Sequence, residues 1–191
     1  MLFRSVAGYA AIRGGDDRYI GNVFLARSGS GAYASGPSER RRVSTGTAVV
    51  NGHPADAAGF EALMAAAAPG DVERFCAVPM AVEVRGNAYA CASGAYEGER
   101  DACGVPGAQA RVVRRDGTVV LEAGLGRAVP GVRLDGSDLG RTVQADQAFE
   151  DPDGHPVSFA KDLLGACDPG AAFAGPLATL GAEVTSTVLW G

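Results

Sequence analysis

Arg111-Val112-Val113-Arg114-Arg115-Asp116-Gly117-Thr118-Val119-Val120-Leu121 is the stretch that decides the fold class. Two runs rich in β-branched residues flank an Asp-Gly pair. Both turn residues tolerate the left-handed backbone that a two-residue hairpin requires. The segment Arg111 to Glu122 therefore predicts a β-hairpin turning at Asp116-Gly117.

Outward from this hairpin the chain repeats the pattern of short extended runs broken by turns. Glycine contributes 28 of 191 residues and proline 10, which interrupts any long helix. Leu2 to Ile12 and Arg18 to Arg27 read as paired strands around Arg13-Gly14-Gly15-Asp16-Asp17, with Gly21 marking a bulge. Val43 to Val50, Val72 to Val84 (bent at Pro79), Ala88 to Tyr96, Thr142 to Phe149, Val157 to Phe159 and Ala182 to Trp190 read as further strands. Glu97 to Gly107 reads as an irregular charged connection, and Lys161 to Ala166 as a single helical turn. One longer helix is expected, from about Pro54 to Ala68. Pro54 suits its first turn, and Phe60, Leu63, Met64 and Ala67 form its apolar stripe.

No repeat at a fixed period and no linker-like composition break is evident, so residues 1–191 read as one domain. The expected fold is mainly β: an antiparallel β-barrel or β-sandwich with one packed α-helix. Apolar residues make up 47% of the chain, enough for a core, but only 7% is aromatic, so that core is built from small side chains.

The formal net charge of −5 argues against general nucleic-acid binding. No apolar run reaches the roughly 20 residues of a membrane span, and Met1-Leu2-Phe3-Arg4-Ser5-Val6 lacks a signal-peptide pattern. A cytoplasmic protein, alone or within a larger assembly, is the corresponding expectation. Cys76, Cys91, Cys103 and Cys167 include no CxxC pair, which points to free thiols, with a Cys91–Cys103 bridge as the alternative in an oxidising compartment. No metal and no cofactor is expected, since no Walker loop, dinucleotide fingerprint, nucleophile elbow or HExxH run occurs.

Two short stretches resemble enzyme motifs. Ala90-Cys91-Ala92-Ser93-Gly94-Ala95 resembles the nucleophile turn of thiolases and ketosynthases, but Glu97 to Gly104 is not the helix which that turn needs. Asp151-Pro152-Asp153-Gly154-His155-Pro156-Val157-Ser158-Phe159 resembles a turn of the vicinal-oxygen-chelate family, where a glutamate ligand often follows; Ser158 and Phe159 stand there instead. Calcium is the other reading of Glu150, Asp151 and Asp153, and solvated turn acids are the default. His53 and His155, the two histidines, both precede proline in turn-like segments.

Residues 28–42 combine a Gly/Ser run, a lone aromatic and a basic cluster. They predict a protruding loop whose Tyr33, Arg40, Arg41 and Arg42 bind another chain. The functional expectation is a non-enzymatic structural or assembly module forming homo-oligomeric contacts, with enzymatic activity left open. The alternative is a small β-barrel that binds or isomerises an apolar small molecule, lined by Tyr9, Tyr19, Tyr33, Tyr89, Tyr96 and Trp190.

Overall fold

A computed structural model describes residues 14–25, 46–67, 69–70, 74, 76–90, 93–143, 145–166 and 174–191. The proposed partner-binding residues Tyr33, Arg40, Arg41 and Arg42 lie outside them, as do Cys91, Cys167 and the first strand of the expected N-terminal hairpin.

The hairpin at Asp116-Gly117 forms as the sequence requires. Strand β6 (Gln109–Arg115) pairs antiparallel with β7 (Thr118–Gly124), and the turn residues have φ 49° and 85°. Two consecutive positive φ values are the mark of the turn whose twist matches that of the strands. Strand β8 (Thr185–Trp190) pairs antiparallel with the other edge of β7, giving the order β6-β7-β8.

The rest of the sheet structure differs from the antiparallel expectation. Strands β1 (Arg18–Ile20), β2 (Val23–Leu25), β3 (Glu83–Arg85), β4 (Ala88–Ala90) and β5 (Cys103–Gly104) pair only in parallel, as β1-β3 and β2-β4-β5. Arg100 extends the first pair by a parallel bridge to Arg85. The chain thus lays down three bent rungs one upon another: residues 18–25, 83–90 and 100–104. Among the described residues the fold is mostly β with one full helix, and its sheets are not closed into a barrel.

The bend recurs at the same position of each rung. Gly21, Gly86 and Asp101 stand between the two arms with φ of 66°, 63° and 62°. Glycine adopts this left-handed conformation without a Cβ penalty, and aspartate is among the residues that tolerate it. Gly21 is therefore a corner rather than a bulge, and it turns the chain into a second arm of the same rung.

In-register stacking puts like upon like. Phe24 stacks on Tyr89 with ring centroids 5.3 Å apart. On the first arm Tyr19 and Val84 face a core with Val50, Val82 and Tyr96. The intervening positions face outward, where Glu83 meets Arg18, Arg85 and Arg100 at 3.7, 2.9 and 3.8 Å, drawing an arginine from each rung. A second core joins Ala88, Ala90 and Val105 to Leu125 beyond β7.

Helix α1 spans Ala57–Ala66, capped by the Asp56 carboxylate, which accepts from the Gly59 N–H at 2.8 Å. Phe60 is buried against Val78 and Ala81, with Met64 and Ala67 beside it. Leu63, expected on this face, is 42% exposed. The seam follows positions i, i+4 and i+7, with Val78, Met80, Ala81 and Val143 packed against it.

Several expected strands are not formed over the described residues: Thr142 to Phe149 and Val157 to Phe159 contribute only isolated bridges, Ala148 to Arg141 and Ser158 to Asp135. Thr47–Val50 is a 3-10 turn, because the Thr47 side chain is drawn into a buried polar network. The Val78 N–H donates to the Arg74 carbonyl at 2.9 Å, a helical closure, and β3 begins only at Glu83. The expected helical turn at 161–166 is a loop wound around the Asp162 carboxylate, which accepts from the N–H groups of Leu164 and Ala166 at 2.9 Å each. Among the described residues no helix is long and apolar enough to cross a membrane.

Candidate functional site

The stacked corners form the floor of a groove. At the first rung, Ile20, Gly21, Asn22 and Val23 line a cleft of about 530 Å³, walled by Val132, Leu134, Phe159, Lys161, Leu163 and Pro176. A second cleft of about 380 Å³ lies over the next corners, Arg85-Gly86 and Asp101 with Cys103, and is walled by Pro130 to Arg133. Val132 borders both. A Cβ at Gly86 would stand 2.5 Å from its Cγ2, so glycine is required both by the corner and by the wall pressed upon it.

Each wall is tied to the first rung. The Gly175 N–H donates to the Gly21 carbonyl at 2.7 Å, and the Leu163 N–H to Pro176 at 2.8 Å. On the other side the Arg18 guanidinium donates to the carbonyls of Leu139 and Arg141, both at 3.0 Å, to Asp16 at 2.9 Å, and lies over the Phe149 ring. The carboxylate of Asp135 caps the short 3-10 helix Gly136–Leu139 that follows the wall, and hydrogen bonds from Ser137 above all hold its carboxyl below the usual range.

Beneath the floor is a fully buried amide. Asn87 uses its complete hydrogen-bonding capacity. Its Oδ1 accepts from the Asn22 backbone N–H at 2.8 Å and from the Asn22 side chain at 3.0 Å. Its Nδ2 donates to the Tyr19 carbonyl at 2.8 Å and to Glu99 Oε1 at 2.7 Å. The other Glu99 oxygen accepts from the Tyr89 hydroxyl, which in turn accepts from Thr47 at 2.6 Å, and the Thr47 oxygen accepts the Tyr96 N–H at 2.8 Å. Burial first, and then the bond to the Glu99 carboxylate, push the Tyr89 phenol well above its ordinary value of 10.0. Tyr89 is thus a fixed donor that holds Glu99, which holds Asn87, which joins the first two rungs at their corners.

The groove's own charges are Lys161, Arg85, Arg133, Asp101 and Asp162. Arg85 is engaged with Glu83 at 2.9 Å. Asp162 also accepts from the Ala178 N–H at 3.1 Å; that bond above all, with those from its own loop, holds its carboxyl below the usual range. Asp162 therefore organises a wall, and Asp101 is the carboxylate left to meet a ligand among the described residues.

The residues singled out from sequence are mostly structural. His53 Nδ1 lies 2.9 Å from the Met80 carbonyl, and its own carbonyl accepts from the Tyr96 hydroxyl. His155 is exposed, 3.8 Å from Asp151, whose Oδ1 accepts the N–H groups of Asp153 and His155. That arrangement is a turn made by its own carboxylate. No group of three metal-ligating side chains gathers among the described residues. Cys76 and Cys103 are free thiols. Tyr19, Tyr89 and Tyr96 pack in the interior rather than lining a lumen, and Trp190 is exposed on β8. Sequence reasoning missed Asn22, Asn87 and Glu99. Their available signal was the Gly-Asn pair at 21–22 and again at 86–87, each following a short run with alternating apolar residues.

No protein-family model and no curated protein matches the chain. Among solved structures, the complex of XylC with xylose is similar, with a TM-score of 0.71 and 22% sequence identity over 92% of this chain and 26% of that one. The chain thus spans about a quarter of that protein, and the similarity is one of fold.

Proposed function

We propose that the groove over the stacked corners binds a saccharide chain. The observation that carries this reading is the alignment of two clefts across three rungs, which offers adjacent subsites on one rigid floor. A pyranose presents an apolar C–H face and a rim of hydroxyls. Phe159, Val132 and Leu134 supply apolar wall, while Asn22, Lys161, Arg133 and Asp101 supply donors and acceptors. The fold similarity to a protein solved with xylose supports the choice of sugar. Because Asp101 is the one uncommitted carboxylate of the groove among the described residues, where glycoside hydrolysis commonly uses a pair, the role proposed is binding rather than hydrolysis.

The test is a calorimetric titration with xylose and with linear xylo-oligosaccharides. Longer ligands should bind more tightly than xylose, because they reach both clefts, and Phe159→Ala with Lys161→Ala should weaken them. Absence of binding at a Kd of about 10 mM for every ligand, equivalent to less than about 3 kcal/mol, would remove this reading.

The second reading is the assembly role expected from composition, with a sandwich-like layering of the parallel stack on the antiparallel sheet. One observation favours it independently of the groove: among the described residues the outer strand β8 is an uncharged sheet edge with exposed apolar side chains.

A further inference from the structure

Resting on the saccharide reading, we infer that Val132 decides which saccharide the groove takes: it admits an extended chain of pentopyranose rings and rejects the hexopyranose chain of the same linkage. The path of the chain follows from the register of the stack. Ile20 pairs with Arg85 and Val23 with Ala88; Arg85 pairs in turn with Arg100, and Ala88 with Cys103. The offset is the same on both sides of each corner, so positions 21, 86 and 101 lie directly over one another. The Gly21 N–H donates to the Arg85 carbonyl at 3.2 Å and the Gly86 N–H to the Arg100 carbonyl at 2.8 Å, which carries the ladder through the bend. Successive corners are therefore one strand spacing apart, about 4.7–4.9 Å. A ligand that reaches from the first cleft, over Gly21, to the second, over Gly86 and Asp101, runs along this axis as an extended chain. Pyranoses joined through equatorial bonds at both ends make such a chain, whereas an axial bond at one end coils it.

Val132 stands across that path. It lines both clefts, and its Cγ2 lies 2.5 Å from where a Cβ on Gly86, the middle corner, would stand. Not even a methyl group fits beneath it, so the ligand must pass over its isopropyl group, which forms a saddle between the clefts. The saddle is held in place. Pro130 fixes the backbone two residues before it. Beyond it an antiparallel bridge joins Asp135 to Ser158, and Gly136 lies so close to the next residue that a Cβ there would stand 2.8 Å from the Val157 carbonyl oxygen. A pentopyranose crossing the saddle brings only ring atoms and hydroxyls. A hexopyranose adds a hydroxymethyl group, which must either lift the wall or set its hydroxyl against an apolar surface without a partner. One extra carbon in a fitted site discriminates by about 10–200-fold.

The experiment is calorimetric titration of the full chain with xylotetraose and cellotetraose, which share linkage and ring number and differ in the hydroxymethyl groups. The wild type should bind xylotetraose at least about tenfold more tightly. Val132→Ala lowers the saddle and should shrink that ratio below about threefold by admitting cellotetraose. Val132→Leu raises the saddle and should weaken xylotetraose by at least about tenfold. Far-UV circular dichroism checks that each variant is folded, and if one substitution unfolds the chain the other still decides. A second readout follows the crossing itself. Cys103 lines the far cleft as a free thiol. Saturating xylotetraose should slow its alkylation by iodoacetamide, read by peptide mass mapping against the exposed Cys76, and cellotetraose should not. Equal binding of the two tetrasaccharides by the wild type, a ratio that survives Val132→Ala, or an undiminished affinity in Val132→Leu overturns selection by Val132 and leaves saccharide binding standing. Bound xylotetraose that leaves Cys103 reactive does not cross the saddle and overturns it likewise. If neither tetrasaccharide binds, the saccharide reading itself falls.

Discussion

Removing the Asn87 side chain is the sharpest perturbation of the stack. Asn87→Ala strands the Asn22 backbone N–H, and takes one donor each from Glu99 and from the Tyr19 carbonyl, which keeps its place in the β1–β3 ladder. A buried polar group left without its partner costs about 1–3 kcal/mol. One stranded backbone group therefore implies a loss of about 1–3 kcal/mol, against a typical domain stability of about 5–15 kcal/mol. Urea denaturation followed by far-UV circular dichroism reads this as a lower midpoint at unchanged slope. A loss below about 1 kcal/mol would show that water replaces the amide at the corner, and the argument that Asn87 joins the rungs would fail. Asn87→Asp adds a second test. It sets a carboxylate against Glu99, so the folded pair takes up a proton at a pH above the ordinary carboxylate range. The folded variant then binds more protons than the unfolded chain. Its deficit relative to wild type should shrink as the pH is lowered from about 7 to about 5. A deficit independent of pH would place the new carboxylate in solvent.

Other perturbations follow from the packing. Phe60→Ala should cost about 3–5 kcal/mol in urea unfolding, whereas Leu63→Ala, on the exposed flank of the same helix, should cost less than about 1 kcal/mol; similar losses would mean that the helix seats on a broader face. Gly86→Ala forces a left-handed Cβ against Val132, and the backbone conformation alone should cost about 1–2 kcal/mol in the same assay. The Arg111 hydrogen bond, with Arg115 beside it, holds the Glu122 carboxyl below its usual range. Stability from a depressed carboxyl is present above its unfolded pKa and is lost as the pH falls through the folded one. Wild-type Tm should therefore fall more steeply in acid than that of Glu122→Gln, and parallel curves would show the arginine pair to be idle. Tyr89→Phe removes the donor to Glu99 and should lower stability by about 1–3 kcal/mol; a neutral result would mean that Thr47 alone holds the carboxylate.

The antiparallel half of the molecule was legible because its signals are local. Asp116-Gly117 fixes the hairpin, and Ala182 to Trp190 has the composition of a strand wherever it pairs. Helix α1 was legible for the same reason, through Asp56 and the seam from Phe60. The parallel stack was not, because its partners are distant and its strands are short. Asn22 and Asn87 are 65 residues apart, and β1 to β4 have three residues each, too few to display a period. A Gly-Asn corner in such a strand looks like a hairpin turn or a bulge until its partner is known. Glu99 sat in a stretch that read as irregular connection, although that stretch supplies the third rung. The groove is a product of this same long-range stacking, so its lining carries no contiguous motif.

Strands of three residues offer few ladder hydrogen bonds, so the stack must be held at its corners and along its outer face. The left-handed residues at 21, 86 and 101 set the bend, Asn87 joins the first two corners from within, and Glu83 gathers an arginine from each rung outside. Ordering at the corners makes the groove floor the rigid part of the site, while its walls are loops fixed at a few points such as Gly175 on Gly21. Floor and wall substitutions should consequently separate. Changes at Asn87 or Glu99 act on stability first, and on any ligand only through the loss of the corner. Changes at Phe159 or Lys161, both exposed, act on affinity with little effect on unfolding. Gly86 belongs to both classes, since it is a corner on which the wall residue Val132 rests, and its substitution should move stability and binding together.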